Sequence, residues 1–236
     1  MIPPFTRFQV SLPTPLAPLI MGIARRDQLV IEPLYRRAML RELAMILDAI
    51  PHDQLAVQWD ISPEIGLLEG VWEAPFDDVL DEVSSRIVDL AGAVSEDVEL
   101  GIHFCYGDLG HRHFVQPRDT TVIVTLANAV IAGLRRRLHW MHLPVPIDRT
   151  DVAYFVPLRE LALPVETQLF VGLVHEADGV PGAASRVAAA STQPHKFGIA
   201  TECGLGRRDP ANIPALLALH RQILGELVPT PLAAPE

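Results

Sequence analysis

Six apolar runs of strand length alternate with longer amphipathic stretches along this chain, and this alternation limits the possible folds most strongly. A strand followed by a helix, repeated in this way, is typical of βα units that build a parallel sheet. The sequence therefore predicts an α/β protein. The predicted strands are residues 7–12, 54–59, 98–104, 139–143, 168–174 and 197–202, and the predicted helices are residues 33–50, 76–94, 119–137, 150–161, 182–190 and 209–227.

The number of units points to a particular architecture. A closed barrel of alternating strands and helices needs eight βα units, and this chain supplies six, beginning almost directly in a strand. We therefore expect a (β/α)8 TIM-type barrel that lacks its first two βα units. A single, partial barrel domain over residues 1–228 and a flexible C-terminal tail over residues 229–236 are the expected organisation.

Composition excludes several classes of function. The chain has 236 residues, of which 49% are hydrophobic, so it can bury a large core. Its formal net charge of −10 argues against a nucleic-acid partner, because phosphate binding needs a basic surface. No uncharged apolar stretch has the length of a membrane span, and no signal peptide is evident. We expect a cytoplasmic protein without a membrane partner.

The two cysteines of the chain both lie at predicted strand ends. Cys105 follows His103 at the end of one strand, and Cys203 follows another. Residues just past the C-terminal ends of parallel strands converge at one edge of the sheet. His103 and Cys105 are two residues apart and so point to the same face. An imidazole and two thiolates suit zinc, but burial as small apolar residues or a disulfide are the alternatives.

Three short motifs resemble the C-terminal catalytic barrel of cobalamin-independent methionine synthase and its wider superfamily. They are the His-x-Cys-Tyr motif in residues 101–108, the Glu-Cys-Gly-Leu-Gly-Arg-Arg motif in residues 197–208, and Val-Gln-Trp-Asp in residues 56–60. The resemblance implies that His103, Cys105 and Cys203 bind Zn²⁺. It also implies that Asp60 contacts the amino group of homocysteine, and that a methylated folate is the methyl donor.

The chain departs from this family in two places. The family's glutamate ligand has no counterpart, because residues 139–144 contain no carboxylate, and we take His142 as the substitute fourth ligand. The first two strands of the family barrel also have no counterpart. Either the chain is a fragment, or a homo-oligomer or complementing chain completes it, or the fold closes differently.

Further candidate residues lie in the loops after the strands. His111 and His113 are candidate catalytic acids or bases, and Asp60 is a candidate for both catalysis and substrate binding. Asp108, Glu64 and Arg207 are the remaining candidate substrate-binding residues. The alternatives are a helix cap for the acidic residues, solvent exposure for the arginine, and an ordinary polar loop for the histidines.

These features favour a zinc-dependent transferase that moves a methyl or other alkyl group to a thiol. Zinc lowers the pKa of a coordinated thiol and leaves a nucleophilic sulfur, to which an aligned donor can transfer its alkyl group. The expected partners are therefore a small-molecule thiol and an alkyl donor. A zinc hydrolase or lyase acting on a small carbonyl compound, and a non-catalytic barrel fragment that binds a partner chain, are the other hypotheses.

Overall fold

The computed structural model describes residues 5–107, 110 and 112–227. The α/β class is confirmed, and the six strands begin and end within two residues of the predicted bounds. They are β1 (Phe8–Pro13), β2 (Leu55–Ile61), β3 (Glu99–Phe104), β4 (Trp140–Pro144), β5 (Gln168–Val174) and β6 (Phe197–Thr201). The helices are α1 (Leu16–Gly22), α2 (Arg25–Ala49), α3 (Pro63–Leu68), α4 (Val79–Gly92), α5 (Thr121–Gly133), α6 (Val152–Phe155), α7 (Gly179–Ala190) and α8 (Ile213–Leu227).

The helices depart from the sequence prediction more than the strands do. Helices α1 and α3 were not predicted, and the predicted helix 150–161 is the short α6 followed by a 3₁₀ turn. Helix α2 begins at Arg25 and contains Pro33, at which the predicted helix began. Proline removes one helical hydrogen bond. Here Pro33 and the side chain of Leu29, four residues earlier, are both exposed, so water can solvate the carbonyl that loses its partner.

All six strands are parallel and lie in chain order from β1 to β6. Right-handed crossovers that always step in the same direction place their helices on one face of the sheet. That face is apolar and buried, as Val57, Ile102 and Met141 show. The opposite face, which we call the inner face, carries polar side chains such as Gln58 and Asp60.

The sheet of described strands is open, with β1 and β6 at its two edges. This arrangement is compatible with part of a TIM-type barrel, whose closure requires eight strands. The outer side of α2 exposes Val30, Leu34 and Met45. These side chains recur at helical spacing on one face, and no described residue buries them. The complementing chain or second copy expected from the sequence stays a prediction.

None of the described helices combines the length and the apolar composition that a membrane span requires.

A buried arginine ties the C-terminal ends of the central strands to the helix layer. Arg186 of α7 is fully buried and forms a bidentate pair with Asp178, with N–O distances of 2.7 and 2.8 Å. It also donates hydrogen bonds to the carbonyl oxygens of Leu173, at 2.9 Å, and Ile147, at 2.6 Å. Arg186 lowers the pKa of Asp178 by this hydrogen bonding. The loops after β4 and β5 are therefore held in place by one guanidinium group.

We expect Asp178→Ala to lower the free energy of unfolding by about 3 kcal/mol or more, because it leaves the buried charge of Arg186 without a counterion. Urea denaturation followed by circular dichroism measures this change. The matched control is Asp89→Ala, which removes an exposed carboxylate that pairs with Arg36 at 3.1 Å and should cost less than about 1 kcal/mol. Equal losses in the two variants would contradict this account of Arg186.

Candidate metal centre

The candidate site forms where β3 and β6 end on the same edge of the sheet. Cys105 follows β3 directly, and its backbone N–H donates a hydrogen bond to the carbonyl oxygen of Ile61 at 2.9 Å. Cys203 lies two residues after β6, where Thr201 Oγ1 donates to the carbonyl oxygen of Cys203 at 2.7 Å. The backbone of each cysteine is thus held by a hydrogen bond to a residue at a strand end.

The site brings together the three residues that the sequence analysis linked to zinc. The ligand atoms of His103, Cys105 and Cys203 all lie within 4.8 Å of one another. Both cysteines are free thiols, and their Sγ atoms are 3.7 Å apart. Two sulfur ligands of a tetrahedral zinc, each about 2.3 Å from the metal, stand about 3.8 Å apart. The two sulfur atoms therefore already have the separation that a tetrahedral zinc requires.

His103 meets a second requirement of a metal ligand, which is an available nitrogen lone pair. Its side chain is 3% exposed, and neither ring nitrogen has a hydrogen-bond partner within the described residues. Burial holds the pKa of His103 well below its usual value, so the imidazole is neutral, as metal binding demands. A buried polar group without a partner is costly. Metal coordination would supply the missing interaction.

His142 lies beside this cluster but has a different environment. Its ring stacks on that of His103, with the ring centroids 4.2 Å apart. Its Nε2 donates a hydrogen bond to the carbonyl oxygen of Thr201 at 2.9 Å, which leaves Nδ1 as the nitrogen with a lone pair. Burial lowers the pKa of His142 to about 4. The close group of three ligand atoms does not include His142, and its role as the fourth ligand stays a prediction.

The Cys105 thiol is protonated in the absence of a metal. The hydrogen bond with Cys203 and burial both raise the pKa of Cys105 above that of an ordinary thiol. A cation of charge +2 at this position would reverse that effect, because a coordinated thiol loses its proton. One neutral imidazole and two such thiols are a soft, mixed nitrogen and sulfur donor set, which fits zinc.

An open cleft of about 940 Å³ adjoins the cluster, and Cys203 lies in its wall. His113, His175 and Glu202 are among the titratable side chains that line this cleft. His113 Nε2 is 2.9 Å from Glu202 Oε1, and His175 Nδ1 is 4.0 Å from the other oxygen, Oε2. His175 Nε2 also bonds the carbonyl oxygen of Val145 at 2.8 Å. The carboxylate of Glu202 therefore lies between two histidines at the mouth of the site.

His175 was missed by the sequence analysis. It is the first residue after β5, so the rule that located Cys105 would have found it. Burial lowers the pKa of His175, although the nearby charge of Glu202 partly opposes this effect.

Asp60 and Arg207 lie near each other on the inner side of the site. Asp60 is directly opposite His103 in the register of β2 and β3. Burial raises the pKa of Asp60 to about 6, while a hydrogen bond from Gln58 and the positive charge of Arg207 act in the opposite direction. An acid and a base placed together beside the cluster could recognise the two charged ends of an amino acid.

Glu64, another predicted substrate-binding residue, has its own contacts within the protein. Glu64 is buried, and its carboxylate accepts hydrogen bonds from the hydroxyl of Thr14 and from the backbone N–H of Ser62. The structure thus gives Glu64 contacts within the protein and no support for a substrate-binding role. Asp108 and His111 lie outside the described residues.

Fold and site together define an α/β protein with an all-parallel sheet and a candidate metal centre at its carboxyl edge. No family model matches the sequence, and no curated protein matches it. Its fold is similar to that of a Listeria monocytogenes protein provisionally assigned as a vitamin-B12-independent methionine synthase, with a TM-score of 0.52 and 13% sequence identity. The match covers 92% of this chain but 64% of the Listeria chain. The fold is therefore methionine-synthase-like.

We expect protein purified without added zinc to contain about one zinc per chain, held by two thiolates and one imidazole. Elemental analysis should show that the metal is lost in Cys105→Ser, Cys203→Ser and His103→Gln. The matched control is His195→Gln, which changes a histidine at the opposite end of the sheet, where its Nε2 bonds the carbonyl oxygen of Leu158. Zinc retained by the cysteine variants, or absent from folded wild-type protein, would contradict this assignment.

Proposed function

We propose that this protein is a zinc-dependent transferase that moves a methyl or other alkyl group to the sulfur of a small thiol. The observation that carries the proposal is the close group of His103, Cys105 and Cys203 beside an open cleft. The methionine-synthase-like fold supports it. This chain spans 64% of the length of the Listeria protein. Homocysteine and a methylated folate are therefore proposed as substrates because of the residues found in the site.

The metal would be held by His103, Cys105 and Cys203, with His142 proposed as a further ligand. Zinc bound there supplies a positive charge that lowers the pKa of a coordinated substrate thiol and leaves its sulfur nucleophilic. The protein contributes the position of that sulfur. Both cysteines are held by backbone contacts at strand ends, so the ligands need little rearrangement on binding.

The remaining side chains would orient the thiol. We assign Asp60 to the ammonium group of the acceptor, because its carboxylate lies next to His103 on the inner face. Arg207, which is close enough to lower the pKa of Asp60, would contact the carboxylate of the same molecule. An acceptor bound at both ends presents its sulfur to the metal in one orientation.

The alkyl donor would occupy the cleft on the other side of Cys203. When the bond between the alkyl carbon and the donor breaks, the departing atom gains electron density and needs a proton. His113 would deliver it. In support, His113 and Glu202 both line the cleft, and His113 Nε2 is 2.9 Å from Glu202 Oε1. Glu202 would hold the imidazole in position and stabilise its protonated form.

A direct test of the proposal is X-ray absorption at the zinc edge with and without L-homocysteine. A thiol substrate should enter the metal shell as one additional sulfur scatterer, and the zinc protein should then methylate it from a methylated folate. If the thiol never enters the shell but the zinc protein hydrolyses or cleaves small carbonyl compounds, the Lewis-acid hypothesis replaces this one.

We expect Asp60→Asn to raise the KM for L-homocysteine about tenfold or more, because it removes a charged contact to the ammonium group. The KM for 4-mercaptobutanoate, which is homocysteine without its amino group, should not change. Steady-state kinetics with both thiols provides the comparison. Asp53→Asn, an exposed change just before β2, is the control variant. An equal rise in both KM values would rule out this role for Asp60.

A further inference from the structure

A row of three inner-face residues runs across the sheet directly below the candidate metal centre. Gln58 on β2 is opposite Gly101 on β3, and Gly101 is opposite Trp140 on β4. The indole of Trp140 lies flat against the backbone of Gly101, where any Cβ would overlap the ring. Glycine at this position therefore lets a side chain from β4 cross over β3 and reach β2.

The Trp140 side chain ends in a hydrogen bond to Gln58. Trp140 Nε1 donates to Gln58 Oε1 at 2.9 Å. Because an indole nitrogen can only donate, it fixes the orientation of the Gln58 amide, with its oxygen toward Trp140 and its NH₂ group away from it. Gln58 Nε2 then donates to Asp60 Oδ1 at 2.8 Å and reaches Ser11 Oγ at 3.4 Å.

This chain of hydrogen bonds determines which oxygen of the Asp60 carboxylate is available to a ligand. Oδ1 is occupied by Gln58, and no described residue has a hydrogen bond to Oδ2, so Oδ2 is the oxygen left for a cation in the site. Gln58 is 8% exposed, and hydrogen bonds to a carboxylate are strong where water is largely excluded. The carboxylate is therefore held in one rotamer rather than free to turn.

We propose that Gln58 is a positioning residue for Asp60, and that Trp140 affects substrate binding through Gln58 alone. The inference rests on the proposed function, because it concerns the contact between Asp60 and the ammonium group of the thiol acceptor. The inner face of a barrel is normally filled by branched apolar side chains. A polar chain of Trp140, Gln58 and Asp60 in that position aligns a carboxylate that apolar packing would leave unsupported.

The experiment measures how strongly the protein prefers a thiol that carries an amino group. Cobalt-loaded protein is titrated with L-homocysteine and with 4-mercaptobutanoate. The cysteine ligands already give a sulfur-to-cobalt absorption band, and the increase in this band on thiol addition reports binding of each. We define the amine preference as the Kd for 4-mercaptobutanoate divided by the Kd for L-homocysteine. We expect a preference of about tenfold or more in the wild-type protein, as for a hydrogen-bonded charge pair.

Two variants break the chain of hydrogen bonds at different points. Gln58→Met keeps the length of the side chain and removes its hydrogen bonds to Trp140, Asp60 and Ser11. Trp140→Phe removes the indole N–H and keeps an aromatic ring. Each variant should reduce the amine preference by about fivefold. The amine preference of the double variant should be no lower than that of Gln58→Met, because the effects of residues that act through one another are not additive. Gly101→Ala, which displaces the indole, should give the same loss.

Trp59→Phe is the matched control. Trp59 neighbours Gln58 on β2 but faces the helices, and its indole nitrogen has no hydrogen-bond partner within the described residues. The amine preference should stay at the wild-type value in this variant. Thermal unfolding followed by circular dichroism checks that each variant is folded, and the cobalt spectrum before thiol addition checks that it is loaded.

Full amine preference in Trp140→Phe, or losses that multiply in the double variant, would overturn the inference while leaving the transferase in place. Equal binding of the two thiols to wild-type protein would overturn both the role of Asp60 and this inference. No change in the absorption band with either thiol would reject the proposed thiol transfer, and the inference with it. The three failures are therefore distinguishable.

Discussion

The parallel register of β2, β3 and β4 is the constraint on which the candidate site depends. It sets Asp60, His103 and His142 side by side in one row of the inner face, and Gln58, Gly101 and Trp140 in the row below. A slip of one residue in β3 would turn His103 toward the helices and Ile102 toward the cleft. Buried apolar side chains on the helix-facing side of the same strands oppose that slip.

The site contains polar groups that a protein selected only for stability would avoid. His103 is buried, and none of the described residues forms a hydrogen bond with its ring, while the Cys105 thiol has its pKa raised by Cys203 and by burial. Unsatisfied buried groups each cost roughly 1–3 kcal/mol. Deviations of this kind concentrate at functional sites. A metal ion bound by the same atoms would remove the cost, which links the stability of this region to its proposed chemistry.

The surroundings of the site differ between its two sides. Arg186 joins the loops after β4 and β5 to α7, and these loops also supply part of the cleft wall. The opposite side is less enclosed, because β1 is an edge strand of the described sheet, and α2 exposes apolar side chains. The candidate metal centre and the cleft lie on the side that Arg186 holds in place. The side at β1 has a surface on which a further strand or helix could pack.

The sequence by itself determined the α/β class, the six strands and the three residues of the candidate metal centre. Apolar runs of strand length identify buried strands, and the carboxyl ends of parallel strands lie at one edge, which predicted that Cys105 and Cys203 share a site. The helices were harder to predict, because Pro33 resembles a helix start while tertiary packing carries α2 through it. Only the tertiary structure decided three further features, namely the pairing of His113 with Glu202, the contacts of Glu64 and the path of Trp140 across Gly101. Each depends on the register and on loop conformation, which place residues distant in sequence within hydrogen-bond reach, and no local pattern encodes those distances.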